Sequence, residues 1–524
     1  MAEIKVSHPR LYEINAIQWL YELQESYGKK FTLGTVPDAE WDRLEKLGFN
    51  YVWLMGVWKR SRLGMRIFRE GPEWPPFKGY LDSILPGWKD DDVIGSPYSV
   101  SAYEPHPLAG AWEDIERARA ELNRRGMGLI LDFVPNHTAP DHEWVSGHPD
   151  YFFTFTGGRS PDQPPDLPAD LSSYSVMEKA GKNKSKKNNK IYVARGKDPY
   201  YPAWSDTAQL NYFNPALRKA MVSQLKKIAG YCDGLRCDMA MLVINDIFER
   251  NWGNLGAHGA WEKTKTEFWE QARAAVPGLV LIAEAYWDTE WRLLEMGFDY
   301  VYDKTLHDRL AHSSARDVRL HLGADAGYQK KLVRFIENHD EHRSAETFAP
   351  DRLRAAAVMF STLPGMKLFY HGQLEGRRVK VPVQLGRSVP EAPVNELKDF
   401  YGKLLSITGQ DIFHDGQWQL KDVFPFSDGG YRNLIAYTWR PASERPASER
   451  PASRLKLVVV NFDGAWSQGR IPLRGELDGG RDYRLTDELN GREYERRGEE
   501  MSFAGLHVIL GGYQAHIFDV APMR

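Results

Sequence analysis

The chain has 524 residues, 42% of them hydrophobic, which exceeds one ordinary domain and allows a large buried core. The formal net charge is −3 and the isoelectric point is about 6.6, so there is no broad basic field and nucleic acid is not an expected partner. No apolar run approaches the length of a membrane-spanning helix, so a membrane is not an expected partner either.

The N-terminal residues and the cysteines predict the compartment. The first residues contain no apolar stretch after a basic start, so we expect no signal peptide. Cys232 and Cys237 lie on opposite faces of one predicted strand, which argues against a disulfide between them. A chain without a disulfide framework suits a reducing compartment, and we predict a cytoplasmic protein.

Eight apolar segments are predicted as parallel strands, and stretches long enough for helices separate them. In chain order they cover residues 11–18, 50–55, 128–134, 233–237, 279–283, 299–302, 332–336 and 367–370. Helical spacing of apolar residues predicts helices over 111–126 and 214–230, the second with Asn214 as its N-cap and Pro215 at its first position. This alternation predicts an α/β protein with a (β/α)8 barrel.

Two regions break the alternation. Residues 138–205 are too long for a simple loop, so we predict a small irregular domain inserted after strand 3, with the lysine-rich run 181–190 as a solvated loop. Residues 411–524 contain short strands separated by turn residues, which predicts a C-terminal antiparallel β-sandwich. The barrel would then comprise 1–137 and 206–410. The RPAS repeat between residues 440 and 453 is predicted as a long hairpin loop, without an assigned function.

Three predicted strands lead into acidic residues that suit glycosidic chemistry. Asp238 follows GLRC, Glu284 follows LVLIA, and Asp340 ends the segment ENHD. Glycosidic chemistry needs one carboxyl group that protonates the leaving oxygen and a second that attacks the sugar or activates water. Apolar neighbours would keep Glu284 protonated, whereas Arg236, on the same strand face as Asp238, would keep Asp238 ionised. Each motif alone also fits a structural role, but their combination in this order favours an active site.

The same segments resemble the signature motifs of glycoside hydrolase family 13, the α-amylase family, along nearly the whole chain. The segments DFVPNH (132–137), GLRCD (234–238), the surroundings of Glu284 and ENHD (337–340) are similar to its four main signatures. Two further segments, YVWLMGV (51–57) and DTAQLNYFNP (206–215), are similar to additional ones. The resemblance implies that Asp238 is the nucleophile, Glu284 the general acid/base, and Asp340 the carboxylate that binds the −1 sugar and stabilises the transition state.

The resemblance also implies a set of substrate-binding and supporting residues. Tyr98 would stack under the −1 ring, while His137 and His339 would hydrogen-bond to it. Arg236 would orient Asp238, and Asp132 would act as a supporting carboxylate.

Three departures from the family pattern bear on substrate and metal. Many endo-acting relatives carry Lys-His where this chain has Met241 and Leu242, which disfavours the usual +1/+2 glucan subsite and the usual structural calcium. Asn136 matches one calcium ligand of the family, so a structural calcium is the metal that the resemblance suggests, and no cofactor is required. Gly95 stands where exo-acting α-glucosidases carry Asp, which disfavours a tight exo pocket.

The leading prediction is therefore an α-retaining enzyme that hydrolyses malto-oligosaccharides or related α-glucans. Alternatives of the same fold are a glucanotransferase, a glycosyl phosphorylase and a sucrose- or trehalose-active enzyme. A remote alternative is a non-catalytic carbohydrate-binding or scaffolding protein, which would have lost the carboxylates that this chain keeps. The linkage, the oligomeric state and the role of the C-terminal domain are left open by the sequence.

Overall fold

The computed structural model describes residues 6–156, 174–178, 190–256, 264–442 and 454–523. The first part of the chain contains β1 (Arg10–Asn15), α1 (Ala16–Tyr27), α2 (Asp38–Lys46), β2 (Tyr51–Met55), β3 (Trp58–Arg60), α3 (Arg62–Glu70), α4 (Trp74–Ile84), β4 (Val100–Pro105), α5 (Trp112–Arg124) and β5 (Gly128–Phe133). The segment after it contains β6 (His137–Thr138), α6 (Glu143–Gly147), β7 (Thr154–Thr156), β8 (Tyr174–Glu178), β9 (Lys190–Ala194) and β10 (Ala208–Gln209).

The remaining elements run from the second part of the barrel to the C-terminus. The barrel part contains α7 (Pro215–Ala229), β11 (Gly234–Cys237), α8 (Asn245–Gly256), α9 (Phe268–Ala275), β12 (Val280–Ala283), α10 (Glu290–Glu295), β13 (Tyr300–Tyr302), α11 (Lys304–His312), α12 (Ala315–Leu322), α13 (Ala326–Gln329), β14 (Leu332–Arg334), α14 (Ser344–Thr347), α15 (Pro350–Thr362), β15 (Met366–Tyr370) and α16 (Asn395–Thr408). The C-terminal part contains α17 (Asp411–Asp415), β16 (Gln417–Lys421), β17 (Leu434–Arg440), β18 (Leu455–Asn461), β19 (Ser467–Ile471), β20 (Asp482–Asp487), β21 (Arg492–Arg497), α18 (Gly498–Glu500), β22 (Leu506–Leu510) and β23 (Ala515–Pro522).

Eight parallel strands close into a barrel in the order β1-β15-β14-β13-β12-β11-β5-β2. The predicted (β/α)8 barrel and its eight strand positions are therefore confirmed. The first strand is shorter than predicted, because it ends at Asn15 rather than at residue 18. The Asn15 side chain accepts a hydrogen bond from the backbone N–H of Gln18 and so caps α1, which begins at once.

The predicted helices over 111–126 and 214–230 are also present, as α5 and α7. Asn214 caps α7, since its side-chain oxygen accepts a hydrogen bond of 2.8 Å from the backbone N–H of Ala216. Gly126 follows α5 with φ of +73°, a left-handed conformation that favours glycine.

The segment between β5 and β11 is more regular than predicted. Strands β7, β9 and β8 form an antiparallel three-stranded sheet, and β6 pairs with β10 so that His137 lies opposite Gln209. This pairing brings the two ends of the segment together beside the barrel. The lysine-rich run lies outside the described residues, apart from the backbone of Lys190 in β9.

The C-terminal part is the predicted antiparallel β-sandwich. A six-stranded sheet in the order β16-β17-β18-β23-β20-β21 packs one face against the two-stranded sheet β19-β22 through a shared apolar core. Its other face packs on the barrel, where the indole N–H of Trp439 donates a hydrogen bond of 2.7 Å to the carbonyl of Thr362. The RPAS repeat lies outside the described residues beyond Ala442. The domain limits given above stay predictions. Within the described ranges, no helix is both long and apolar enough to cross a membrane.

Candidate active site

A cleft of about 950 Å³ opens at the carboxyl end of the barrel. Its lining contains Asp238, which follows β11, Glu284, which follows β12, and Asp340, which lies beyond β14. Tyr98 and His137 line the same cleft. The structure therefore brings together five of the residues that the sequence singled out, from five separate parts of the chain.

The Arg236 guanidinium joins the three carboxylates from beneath the cleft. Its side chain is 0% exposed, and its Nη1 donates a hydrogen bond of 2.6 Å to Oδ1 of Asp238. Its Nη2 lies 2.9 Å from Oε2 of Glu284 and 4.0 Å from Oδ2 of Asp340. The positive charge of Arg236 thus reduces the repulsion among the three neighbouring carboxylates. Three aromatic rings face the guanidinium carbon at 5.2–5.5 Å, those of Trp53, Tyr98 and Tyr302.

Asp238 and Glu284 form an interacting acidic pair. Burial and the Glu284 carboxylate raise the pKa of Asp238 to about 8, while Arg236 acts in the opposite direction. Because the two groups interact, their protons belong to the pair rather than to one residue. The structure therefore does not support the expectation that Arg236 alone keeps Asp238 ionised.

Glu284 lies among hydrogen-bond donors, which differs from the apolar surroundings that the sequence predicted. Its Oε1 accepts a hydrogen bond of 2.8 Å from the hydroxyl of Tyr286, and its Oε2 accepts one of 2.6 Å from the backbone N–H of Met239. Met239 adopts a left-handed backbone conformation with φ of +42°, which is uncommon for a residue other than glycine. Strain of this kind is typical of functional sites, and here it presents the N–H to the carboxylate.

Asp340 ends a chain of polar contacts that starts inside the barrel. Glu13 on β1 lies 2.5 Å from Nδ1 of His339, and Nε2 of His339 lies 3.0 Å from Oδ2 of Asp340 and 2.7 Å from the hydroxyl of Tyr98. Burial disfavours a charged imidazole, but Asp340 and Glu13 outweigh it and raise the pKa of His339 to about 10. Against the effect of burial, the charged His339 and Arg236 hold the pKa of Asp340 below its ordinary value. Asp340 is therefore an anion near neutral pH.

Glu13 was missed by the sequence reasoning, although a signal was present. It is a lone acidic residue inside the first apolar strand, and it is fully buried in the barrel. A buried carboxylate needs a partner, and the structure supplies one in the imidazole of His339.

Asp132 lies under the cleft floor rather than in its lining. Its Oδ1 accepts a hydrogen bond of 3.1 Å from the indole of Trp53, and its Oδ2 accepts one of 2.8 Å from the backbone N–H of Gly56. In the barrel register Asp132 is the neighbour of Arg236, which is likewise absent from the lining. These contacts give Asp132 and Arg236 supporting positions rather than direct contact with a sugar.

His137 faces the cleft from β6 as a neutral base. Burial lowers the pKa of His137 to about 4, so its imidazole is uncharged near neutral pH. Its ring packs against that of Trp204, with ring centroids 5.2 Å apart. A neutral imidazole offers one donor and one acceptor, which suits a sugar hydroxyl.

The Asn136 side chain contacts two neighbouring side chains. Its side-chain oxygen accepts a hydrogen bond of 3.2 Å from Gln209, and its amide nitrogen lies 3.4 Å from Nδ1 of His137. Across the described ranges, no group of three or more His, Cys, Asp or Glu residues could hold a metal ion. The Asn136 side chain therefore serves to join the two ends of the inserted segment.

The departures at Met241, Leu242 and Gly95 have structural reasons. Met241 and Leu242 lie in a short 3-10 helix over Ala240–Val243 and are buried in the apolar core, so neither reaches a subsite. Gly95 has φ of +92°, a left-handed conformation in which an aspartate would be strained.

Comparison with known proteins agrees with this geometry. The family model for the α-amylase catalytic domain matches residues 40–380, more than half of the chain. Alpha-amylase 3 of Dictyoglomus thermophilum is 26% identical over 301 residues, which are 53% of this chain and 53% of that protein. An alpha-glucosidase of Culex pipiens is 24% identical over 354 residues, 57% of this chain and 54% of that protein. The trehalose synthase/amylase TreS of Mycolicibacterium smegmatis is 29% identical over 219 residues, 38% of this chain and 33% of that protein.

Solved structures extend the similarity of fold to almost the whole chain. The noncanonic maltogenic alpha-amylase AmyB from Thermotoga neapolitana superposes with a TM-score of 0.65 at 19% identity, covering 99% of this chain and all of that one. An alpha-amylase from Lactobacillus plantarum gives a TM-score of 0.62 at 18% identity, again over 99% of this chain and all of that one. By contrast, the chain spans about half the length of the first two of these curated relatives. With the family match over residues 40–380, the chain belongs to the α-amylase family.

Proposed function

We propose that this protein is an α-retaining glycoside hydrolase that acts on α-glucosidic bonds of malto-oligosaccharides or related α-glucans. The observation that carries the proposal is the bridging of Asp238 and Glu284 by the single guanidinium of Arg236. This arrangement favours the short carboxyl separation of a retaining pair, about 5–5.5 Å, over the about 6.5–9.5 Å of an inverting pair.

In the first half-reaction, Asp238 attacks the anomeric carbon of the sugar. Arg236 binds Oδ1, and no described residue donates a hydrogen bond to Oδ2, so Oδ2 is the attacking atom. As the new C1–Oδ2 bond forms, the bond from C1 to the glycosidic oxygen breaks, and Glu284 gives its proton to that oxygen. The products are a β-glycosyl ester on Asp238, an ionised Glu284 and the free leaving group.

The −1 sugar is in contact with Asp340, Tyr98 and His137 during this step, whereas the buried His339 lies outside the cleft lining and acts through Tyr98. The anion of Asp340 stabilises the positive charge that develops on the ring and accepts hydrogen bonds from its hydroxyls. The ring of Tyr98 forms the floor under the sugar. His339 holds this ring in place through a hydrogen bond with the Tyr98 hydroxyl. The neutral His137 binds a further hydroxyl.

The second half-reaction reverses these roles. Glu284 takes a proton from water, the water oxygen bonds to C1, and the C1–Oδ2 bond breaks and returns Asp238 as a carboxylate. Two inversions at C1 leave the product with the α-configuration of the substrate.

Transfer to a sugar acceptor is the second candidate function. It is supported by the curated relatives, which include the trehalose synthase/amylase TreS and an alpha-1,4-glucan:maltose-1-phosphate maltosyltransferase of Rhodospirillum rubrum. In chemical terms only the nucleophile of the second half-reaction differs. A non-catalytic role is disfavoured, because the three carboxylates lie in one cleft with a shared counter-charge.

A cytoplasmic location is part of the proposal. Both cysteines are free and buried, which suits a reducing compartment. Fractionation of the native host and blotting for the chain would test it, and recovery in the secreted fraction would overturn it.

The experiment that tests the activity is product analysis on maltose, maltoheptaose, sucrose and trehalose, with and without phosphate, beside the variant Asp238→Asn. We expect shorter maltosaccharides from the wild type and a loss of about 10³-fold or more in the variant. Longer saccharides would move the assignment to a transferase, and sugar phosphates to a phosphorylase. Absence of turnover in both proteins on every substrate would overturn the proposed enzyme.

A further inference from the structure

Tyr286 is a polar residue of the cleft that the mechanism above does not use. It stands two residues after Glu284, and its hydroxyl donates a hydrogen bond of 2.8 Å to Oε1 of that carboxylate. It lines the cleft and lies just before Trp287 and Asp288, whose backbones have φ of +61° and +59°. Two consecutive non-glycine residues in this conformation turn the chain sharply after β12 and keep Tyr286 beside Glu284.

The two oxygens of Glu284 have different partners. Oε2 accepts the backbone N–H of Met239 at 2.6 Å and faces Nη2 of Arg236 at 2.9 Å. A proton on Oε2 would point at these two donors, so the proton of the acid form resides on Oε1. Oε1 is thus the atom that delivers the proton, and Tyr286 is the only described residue that donates a hydrogen bond to it.

We propose that Tyr286 is a positioning residue for the general acid/base, one that fixes Oε1 and stabilises the carboxylate left after proton delivery. The inference rests on the proposed function. When Glu284 is protonated, its Oε1–H donates a hydrogen bond either to the phenol oxygen of Tyr286 or, with substrate bound, to the glycosidic oxygen. When the proton has moved to the leaving oxygen, the phenol donates to Oε1 and favours the ionised state. Its effect is therefore largest late in the proton transfer.

The phenol keeps its proton throughout this cycle. Burial and the nearby Glu284 and Asp340 raise the pKa of Tyr286 well above its ordinary value, with Arg236 opposing them. Asp238, Arg236 and Tyr302 also interact with Glu284, and none of them changes in a Tyr286→Phe variant. The variant removes one oxygen atom and leaves the ring in place.

The test compares wild type, Tyr286→Phe and a matched control in the pH dependence of kcat/KM on maltotriose and on α-glucosyl fluoride. Tyr286→Phe removes a hydrogen bond that favours the ionised carboxylate, so we expect the alkaline limb on maltotriose to move to higher pH by about one unit. At the optimum we expect a loss of about tenfold on maltotriose, whose leaving group needs a proton, and less than about threefold on the fluoride, which needs little acid assistance.

The matched control is Tyr200→Phe. The Tyr200 ring packs against that of Trp287 with centroids 4.9 Å apart, but its hydroxyl makes no hydrogen bond to Glu284. We expect its alkaline limb to coincide with that of the wild type, and a thermal unfolding curve will show whether either variant has lost its fold.

Two results separate this inference from the function on which it rests. An equal loss on both substrates with an unchanged alkaline limb in Tyr286→Phe would assign Tyr286 to packing alone and overturn the inference. Wild-type protein that turns over neither substrate would instead overturn the proposed function.

Discussion

Arg236 is the residue whose replacement tests the geometry of the cleft most broadly. It is fully buried and contacts Asp238 at 2.6 Å and Glu284 at 2.9 Å. The conservative change Arg236→Lys keeps the positive charge but replaces a planar fork by a single ammonium group. A lysine therefore cannot hold both carboxylates at once.

The expected effect follows from the contacts that are lost. A hydrogen bond to a charged group contributes about 1.5–3 kcal/mol. If one such contact is missing in the transition state, at about 1.4 kcal/mol per factor of ten in rate, kcat/KM falls by roughly 10- to 150-fold. Arg236 also lowers the pKa of Asp238 against burial and Glu284, so its weakening raises that pKa. The acidic limb of the pH profile should then move to higher pH.

The assay is kcat/KM on maltoheptaose across the pH range for wild type, Arg236→Lys and the control Arg334→Lys. Arg334 is an equally buried strand arginine, bonded to Asp303, Gln329 and the carbonyl of Pro364, away from the cleft lining. The Arg334→Lys variant should be less stable than the wild type. Its kcat/KM should stay within about threefold of the wild-type value, and its acidic limb should lie at the same pH. An Arg236→Lys profile that matches the wild type in height and in limb position would refute the reasoning.

Two other expectations concern stability and metal. The pKa of His339 is raised from about 6.5 to about 10 in the folded state, so its pairing with Glu13 stabilises the fold fully below pH about 6.5 and less as pH rises toward 10. Urea unfolding should show Glu13→Gln destabilised by roughly 3 kcal/mol near pH 6 and by clearly less near pH 9.5, and equal losses at both would contradict this assignment. Because the Asn136 oxygen is bound to Gln209, EDTA should leave both the melting temperature and kcat/KM unchanged. If EDTA lowers the melting temperature or kcat/KM, and added calcium restores the value but magnesium does not, the protein contains a calcium site.

The barrel was predictable from the sequence because its strands are short apolar runs separated by stretches long enough for helices, and several of these runs lead into polar or acidic residues. The error at the first strand shows the limit of that pattern. The apolar character of residues 11–18 continues through the start of α1, and only the Asn15 cap marks the change from strand to helix. The inserted segment was predicted as irregular because it is rich in Pro, Asp, Gly and Tyr.

The acids of the cleft were also predictable, whereas the surroundings of Glu284 were not. The local sequence around Glu284 is apolar, but the nearest donors are a backbone N–H at Met239, the guanidinium of Arg236 and a phenol at Tyr286. The Met239 contact depends on a left-handed backbone at a residue that gives no sign of it in the sequence. Tyr286 could have been noted, since a tyrosine two residues after a candidate acid lies on the same side of an extended chain.

The central claim, a retaining mechanism through Asp238, is tested most directly by the anomeric form of the first product. Proton NMR of maltoheptaose or p-nitrophenyl α-maltoside, recorded before mutarotation equilibrates the sugars, distinguishes the two anomers of the newly released reducing end. The bridged carboxylate pair predicts that the α-anomer appears first and the β-anomer grows only by mutarotation. A first-formed β-anomer would contradict the account, because it would require direct attack of water across a wider carboxyl pair.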